Sequence, residues 1–207
     1  MKNIYLIVAA ILLFTNCKAQ TPVKSLSTDS KDIWGAYYKD TYNDLDRYVG
    51  TWKYTNGLTS LTITLQKKTM QHYEDDYDSY YEDVLIGEYK YIENGVEKVN
   101  TLPLLVGNST NTYKHNISGN ILVGPQSQYC LGCGAMDRKV VVGFMDPNRD
   151  IMGFEPEMIF QRADAGSVQK LKLNFRTTSG QITIEGQTPA FTSYTVPFGE
   201  YLLVKQH

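Results

Sequence analysis

The sequence has almost no excess of charge of either sign. Its 20 lysine and arginine residues nearly balance 22 aspartate and glutamate residues, which leaves a formal net charge of −2. A chain that binds nucleic acid through its overall field is strongly basic, and this chain is not. We therefore expect no nucleic-acid partner.

Long apolar runs are also rare. Residues 4–14 form a run of eleven apolar residues directly after the positively charged start Met1-Lys2-Asn3. A helix that spans a bilayer needs about 18 or more apolar residues, and no later stretch approaches that length. An apolar run of this size behind a basic residue is typical of a signal peptide. We expect residues 1–16 to be a signal peptide and the protein to be exported.

Cysteine is scarce, with three residues in the chain, and the first directly follows this segment. Cys17 stands where bacterial lipoproteins carry their acylated cysteine, and the N-terminus resembles one, although Phe14 and Asn16 depart from the usual pattern. The sequence therefore predicts lipid attachment at Cys17, with residues 17–30 as a lipidated tether that reaches a membrane. Acyl chains in pairs anchor a protein stably.

The expected location is the cell envelope, where the chain would be an outer-membrane lipoprotein on the periplasmic or the surface face. The alternative is ordinary signal cleavage after the small-x-small sequence Cys17-Lys18-Ala19. Such cleavage would release a secreted soluble protein that begins at Gln20.

The other two cysteines form the sequence Cys130-Leu131-Gly132-Cys133. Gly134 follows where a c-type haem site needs histidine, and no second cysteine pair is present to complete a zinc site. In an exported protein this spacing favours a local disulfide. A redox site, a metal site with a distant histidine and a pair of free thiols stay open as alternatives.

Sequence motifs for catalysis are absent. The chain has no Gly-x-Ser-x-Gly, no His-Glu-x-x-His, no phosphate-binding loop and no dinucleotide fingerprint. His72, His115 and His207 are far apart, and a lone histidine is more often structural or exposed than catalytic. We therefore expect no catalytic residues and no cofactor, and we keep an envelope enzyme only as a third hypothesis.

One segment is strongly acidic, with six carboxylates in the ten residues 74–83. Calcium takes six to eight oxygen ligands, so this segment is a weak candidate for a calcium site. It lacks the glycine and the spacing of an EF-hand, and a solvated acidic hairpin loop between Leu65 and Val84 is favoured. The carboxylates are Glu74, Asp75, Asp76, Asp78, Glu82 and Asp83.

From Gly50 onward the sequence alternates like a series of β-strands. Apolar residues at 61, 63 and 65 alternate with threonines, which is the period of a strand. The strand predicted over residues 84–92 precedes Asn94-Gly95, a dipeptide that favours a two-residue hairpin turn. Further strands are predicted over residues 96–101, 120–123, 139–144, 157–161, 170–176, 182–185 and 200–205.

Nine or ten strands without a long amphipathic helix predict an all-β fold for a single domain over residues 31–207. The expected architecture is an antiparallel barrel or, failing that, an antiparallel β-sandwich. Apolar residues over 31–49 are spaced by three or four, which predicts a short helical lead-in. Asn43 or Asp44 is the expected cap of one turn that ends at Tyr48.

Residues 45–53, Leu-Asp-Arg-Tyr-Val-Gly-Thr-Trp-Lys, resemble the opening of the calycin barrels, the lipocalins and fatty-acid-binding proteins. The resemblance implies that Gly50 and Trp52 close one end of a barrel. It also implies that a basic residue from a late strand packs over the tryptophan ring, as a cation–π contact. Lys205 is the first candidate for this residue and Arg176 the second.

A wider resemblance rests on residues 35–40, 45–54 and 87–95. These segments resemble an uncharacterised family of small exported, often lipidated proteins from flavobacteria and their relatives. The resemblance implies export and a β-rich domain of unknown function, and it offers no catalytic residues.

The first functional hypothesis is a non-enzymatic β-domain that binds a small apolar ligand or an envelope protein. The alternative is a structural or interaction protein of the envelope with a filled core and no ligand. The inward faces of the strands separate the two, because a binding barrel needs a cavity. Gly87, Tyr89 and Tyr91 could border a cavity, whereas Leu61 and Ile63 resemble ordinary core.

Overall fold

Alternating apolar and polar residues form strands along most of the chain. The computed structural model describes residues 21–27, 30–106, 111–125, 127–130, 133–134 and 137–206. The strands are β1 (Val23–Ser25), β2 (Tyr37–Lys39), β3 (Gly50–Asn56), β4 (Thr59–Glu74), β5 (Ser79–Glu93), β6 (Val96–Asn100), β7 (Ile117–Val123), β8 (Lys139–Phe144), β9 (Pro156–Arg162), β10 (Lys170–Thr177) and β11 (Gly199–Lys205). Short 3-10 helices are present at Leu45–Tyr48, Leu102–Val106, Thr112–Lys114 and Gln128–Cys130.

Eight of these strands form a closed antiparallel barrel in the order β3-β4-β5-β7-β8-β9-β10-β11. The last strand returns to the first, where Val204 pairs with Lys53 and Lys205 pairs with Trp52. β6 lies outside this circuit and pairs with the end of β5. The prediction of an all-β fold is confirmed, and the barrel is the correct one of the two predicted architectures.

The β4–β5 hairpin is longer than the sequence predicted. Pairing continues from Gln71–Glu82 to Glu74–Ser79, so the loop expected between Leu65 and Val84 shrinks to the four residues 75–78. The rings of Tyr73 and Tyr80 stack across the two strands at 4.9 Å, which stabilises this extension. Residues 23–25 of the expected tether form β1, which pairs in parallel with β2, and β2 pairs in parallel with β5.

The strand expected over residues 182–185 does not form. Residues 178–198 are instead an irregular loop between β10 and β11, which we call the β10–β11 loop. Its backbone is held by the loop that follows β8, because Ile182 N–H donates to Met152 O at 2.9 Å. The alternation of apolar residues here reflects an irregular segment that packs on another loop and has no strand partner.

The predicted helical turn is present as the 3-10 helix Leu45–Tyr48, but its cap differs from the expectation. Asp44 occupies the N-cap position and makes no side-chain cap hydrogen bond. The carboxylate of Asp40 accepts instead, from the backbone N–H groups of Asp44 and Leu45, both at 2.9 Å. Asp40 is buried and therefore fixes this turn from within the structure.

Large side chains fill the interior of the barrel. Trp52, Tyr89, Phe160 and Phe175 are each at most 1% exposed. The face of β5 that could have bordered a cavity is in close contact with β4, since a Cβ atom added to Gly87 would lie 2.6 Å from Leu65 Cδ2. The interior described here is thus a packed core.

The two ends of the barrel differ. Trp52 marks one end, which we call the Trp end, and the 3-10 helix Leu45–Tyr48 lies across it. The loop after β8 and the β10–β11 loop cover the other end, which we call the loop end. There Tyr194 and Val196 of the β10–β11 loop are buried in the core, and Tyr194 contacts Phe144 and Phe175.

The close contact at Gly87 yields a test of the packing. Gly87→Ala would place a methyl group 2.6 Å from Leu65 Cδ2 and 2.9 Å from the backbone oxygen of Thr64, so we expect a loss of about 1–3 kcal/mol in the free energy of unfolding. Gly143→Ala is the matched control, because its Cβ would meet only Ser118 O at 3.5 Å. Urea denaturation measures both, and equal midpoints for the two variants would contradict this packing.

The buried hydroxyl of Tyr89 yields a second test. Burial, followed by the carboxylates of Asp146 and Glu88, raises the pKa of Tyr89 above its ordinary value of 10.0. An acid with a raised pKa in the folded state contributes stability that is complete below pH 10 and lost as the pH rises further. The hydroxyl has no hydrogen-bond partner in the described structure, so Tyr89→Phe should leave the stability at pH 7 unchanged or raise it by about 1 kcal/mol.

Between pH 10 and pH 11 the wild-type protein should lose about 1 kcal/mol more stability than Tyr89→Phe. The reason is that only the wild type has the Tyr89 hydroxyl, which stays protonated in the folded state but ionises in the unfolded state. Urea denaturation at several pH values measures the difference. A large loss for Tyr89→Phe at pH 7 would mean that the hydroxyl has a partner.

Candidate functional site

The Trp end is closed around one ring. Trp52 is fully buried, and its Nε1 donates to the carbonyl oxygen of Tyr48 at 2.7 Å. Two cations cover the ring: Lys205 Nζ lies 5.4 Å and the Arg162 guanidinium 5.2 Å from its centroid. Gly50 has φ of +128°, and a Cβ there would lie 3.0 Å from Lys205 Cε, so a side chain at this position would displace the lysine.

Arg176, the second cation expected over Trp52, lies elsewhere. Its guanidinium is 5.0 Å from the ring of Tyr129, and its Nε forms an ion pair with Glu157 at 2.7 Å. The reason is the direction of the strands, because Arg176 is near the loop end of β10, whereas Arg162 ends β9 at the Trp end. Sequence reasoning missed Arg162, which also donates to the carbonyl oxygen of Arg47 at 2.6 Å.

Cys130 and Cys133 form a disulfide in the loop between β7 and β8. Cys130 is buried, and the neighbouring Tyr129 packs on the outer wall of the barrel against Val141 and Ile159. The disulfide therefore restrains a loop that covers part of this wall.

The carboxylates of the acidic segment point to different partners. Asp75 accepts hydrogen bonds from N–H groups within the hairpin tip. Glu82 accepts from Asn120 Nδ2 at 2.7 Å, whereas Asp83, the next residue of β5, accepts from the hydroxyl of Tyr37 at 2.5 Å. In the part of the chain that the structure describes, no group of three or more His, Cys, Asp or Glu side chains could hold a metal ion.

Glu88 and His115 form a buried polar pair. His115 Nδ1 lies 2.9 Å from Glu88 Oε1, and both side chains are buried. Glu88 Oε2 has no hydrogen-bond partner in the described structure. The pair joins β5 to the segment before β7. Because solvent does not reach the two side chains, they offer no surface to a substrate.

Exposed apolar side chains converge at the loop end. Met152, Ile182, Ile184 and Phe191 are 55%, 58%, 49% and 39% exposed, respectively. They line one cleft of about 290 Å³ between the loop after β8 and the β10–β11 loop, which we call the apolar cleft. Single exposed apolar residues are common in proteins, whereas several around one concavity make it a candidate binding site.

The segments that flank the apolar cleft are fixed by hydrogen bonds. Asp146 Oδ2 accepts from the N–H of Thr195 at 2.6 Å. Arg149 Nη1 donates to the carbonyl oxygens of Ser193 and Tyr194, at 2.9 and 3.2 Å, and its guanidinium lies 5.4 Å from the ring of Phe191. The cleft is therefore largely preformed. Residues 146–150 are rich in turn formers, but nothing in the sequence indicates that they meet the β10–β11 loop.

The signal peptide predicted over residues 1–16 and the predicted lipid site Cys17 lie outside the described residues. Among the described residues, no helix has the length and apolarity needed to cross a membrane.

Comparison with known proteins gives a family and no function. No curated protein and no solved structure matches the chain. A family of unknown function, DUF6705, matches residues 1–206. This match agrees with the wider resemblance in one respect, since an uncharacterised family spans the chain. The chain belongs to the DUF6705 family.

Proposed function

We propose that this protein is a non-enzymatic binding protein of the cell envelope, exported by its signal peptide and held at a membrane by lipid on Cys17. Its ligand is a small apolar molecule that occupies the apolar cleft at the loop end. The observation that carries this proposal is the convergence of Met152, Ile182, Ile184 and Phe191 on one preformed cleft.

Size and chemistry of the cleft support a small ligand. Its volume of about 290 Å³ is at the lower limit of the roughly 300–1,000 Å³ typical of ligand pockets. Thr183 and Gln187 also line the cleft and could orient a ligand, whereas the side chain of Gln181 already donates to the carbonyl oxygen of Phe191 at 2.8 Å. Burial of apolar surface would supply most of the affinity, at about 25 cal/mol per Å².

The filled interior supports a ligand site outside the barrel. Tyr194 and Val196 occupy the loop end of the core, and Phe144 and Phe175 pack against Tyr194. A ligand inside the barrel would have to displace these side chains. The proposal therefore departs from what the calycin resemblance implies about the position of a ligand.

The apolar cleft is tested with the fluorescent probe N-phenyl-1-naphthylamine, which we expect to bind saturably. Ile182→Asn should weaken binding about five- to thirtyfold, because it removes roughly 1–2 kcal/mol of apolar burial. Ile121→Asn is the matched control, since Ile121 is 60% exposed and Ile182 is 58% exposed, but Ile121 lies on β7 away from the cleft. Equal weakening by both variants, or no saturable binding, would refute the site.

A second candidate function is a structural or interaction protein of the envelope without a ligand. The packed barrel interior favours it, because side chains such as Trp52, Tyr89 and Phe160 leave the core filled. Native mass spectrometry of protein purified from its own envelope separates the two. A retained small molecule supports the binding protein, whereas a bare mass in repeated preparations supports the second candidate.

The proposed anchor has its own test. The intact mass of the detergent-extracted protein should show acyl chains on Cys17, which would be the new N-terminal residue. Each buried methylene contributes about 0.8 kcal/mol, so paired chains would form a stable anchor. Cys17→Ala should move the protein from the membrane to the soluble fraction. A mature N-terminus at Gln20 would show that the anchor is absent and that the protein is secreted.

A further inference from the structure

A second cleft lies at the Trp end, on the outer wall of the barrel. It has a volume of about 980 Å³ and lies between the lead-in segment and the loop after β7. Arg47 and Arg138 line it from these two segments, and Asp44 lies between them in the same cleft. We call it the arginine cleft. It is at the opposite end from the apolar cleft, so the inference drawn from it does not depend on the proposed function.

The two guanidinium groups have few partners in the protein. Arg47 Nη1 lies 3.8 Å from Asp44 Oδ1, which is an ion pair but too long for a hydrogen bond. Arg138 Nη1 donates to the backbone oxygen of Asp137 at 2.9 Å. Each guanidinium has five N–H donors. Within the described residues, most of these donors have no protein acceptor and are available to a ligand.

Both arginines are attached to the framework around Trp52. The carbonyl oxygen of Arg138 accepts from the hydroxyl of Tyr48 at 2.7 Å, and that of Arg47 accepts from Arg162 at 2.6 Å. The Arg138 side chain lies beside Gly124, where a Cβ would be 3.4 Å from Arg138 Nη1, an ordinary van der Waals contact. The backbones that carry both cations are thus fixed before any ligand arrives, which lowers the entropic cost of binding.

Asp44 offsets only part of this charge. Its side chain lies against both arginines but is largely buried, with the residue 8% exposed. Burial raises the pKa of Asp44, the neighbouring Asp40 carboxylate raises it further, and Arg138 and Arg47 oppose this rise. Among the residues that line the cleft, one carboxylate therefore faces two guanidiniums, and Asp164, outside the cleft, also interacts with Arg47. The cleft carries an excess positive charge, which an anionic ligand would neutralise.

We propose that the arginine cleft binds a ligand with a phosphate group. A phosphate offers several oxygens that two guanidiniums can share, and paired N–H···O contacts make arginine the preferred residue for such groups. The exposed ring of Tyr42 and the hydroxyls of Ser27 and Ser127 line the rest of the cleft and would contact the remainder of the ligand. The phosphate belongs either to a soluble phosphate ester or to a lipid headgroup.

The Cys17→Ala protein is used so that no lipid anchor contributes. Pyrophosphate is the soluble probe, and isothermal titration calorimetry measures its binding. Vesicles of 20% phosphatidylglycerol in phosphatidylcholine are the membrane probe, measured by co-sedimentation. Arg138→Gln should weaken binding at least tenfold with whichever probe binds, and Arg138→Lys should restore part of it, since lysine keeps the charge but not the fork of donors.

Lys172→Gln is the matched control, because it removes the same charge from an exposed position on β10 outside this cleft. It should leave binding unchanged. Binding of pyrophosphate supports a soluble ester, and binding of vesicles alone supports a headgroup. Equal weakening by Arg138→Gln and Lys172→Gln would mean that binding depends only on the overall charge of the protein, and it would overturn the proposal. The proposal is also overturned if neither probe binds saturably. Urea midpoints confirm that each variant is folded.

Discussion

The closure of the barrel around Trp52 is the constraint on which the rest of this structure depends. β11 returns to β3 through a short register of two paired positions, so strand pairing alone gives this seam little support. The buried ring adds a contact with Lys205 of β11 and contacts from two further segments, Arg162 of β9 and the 3-10 helix through Tyr48. Without this closure, β3 and β11 would both present unpaired edges, which invite pairing with other chains.

The same constraint fixes the lead-in segment. Asp40 is buried and accepts from the N–H groups that begin the 3-10 helix, while Lys67 Nζ lies 2.9 Å from its Oδ2. A buried carboxylate is tolerated only when such partners satisfy it, so removal of Lys67 or of the helix would leave an unpaired charge. This arrangement positions Arg47 at the end of the helix, and Arg162 holds its carbonyl oxygen. The arginine cleft is therefore a consequence of how the Trp end is closed.

Much of the fold could be predicted because strand period is a local property of the sequence. The alternation at Leu61, Ile63 and Leu65 and the turn at Asn94-Gly95 both specify their structure within a few residues. Ile182 and Ile184 alternate in the same way, but their backbone meets a loop rather than a strand, and only tertiary structure reveals this. Arg162 could not be identified because its place over Trp52 depends on the register of β9 in the closed barrel.

Neither cleft could be predicted from the sequence, and the reason is the same for both. Each one is formed by two segments far apart in the chain, and their meeting is determined by barrel closure and not by local pattern. The sequence-based comparison of a cavity with a filled core concerned only the interior of the barrel. The core is filled, and the features that could recognise a ligand lie on loops at the two ends.

The proposed anchor gives the two ends different surroundings. β1 runs parallel to β2 and β5, so its first residues lie beside the part of the β4–β5 hairpin that extends past the Trp end. Three residues lie between Cys17 and Thr21, so the two are at most about 14 Å apart when the chain is extended. A lipid on Cys17 would thus hold the Trp end, with its arginine cleft, near the headgroups. The apolar cleft would then face away from the bilayer, so that a ligand bound there would arrive from solution rather than from the lipid.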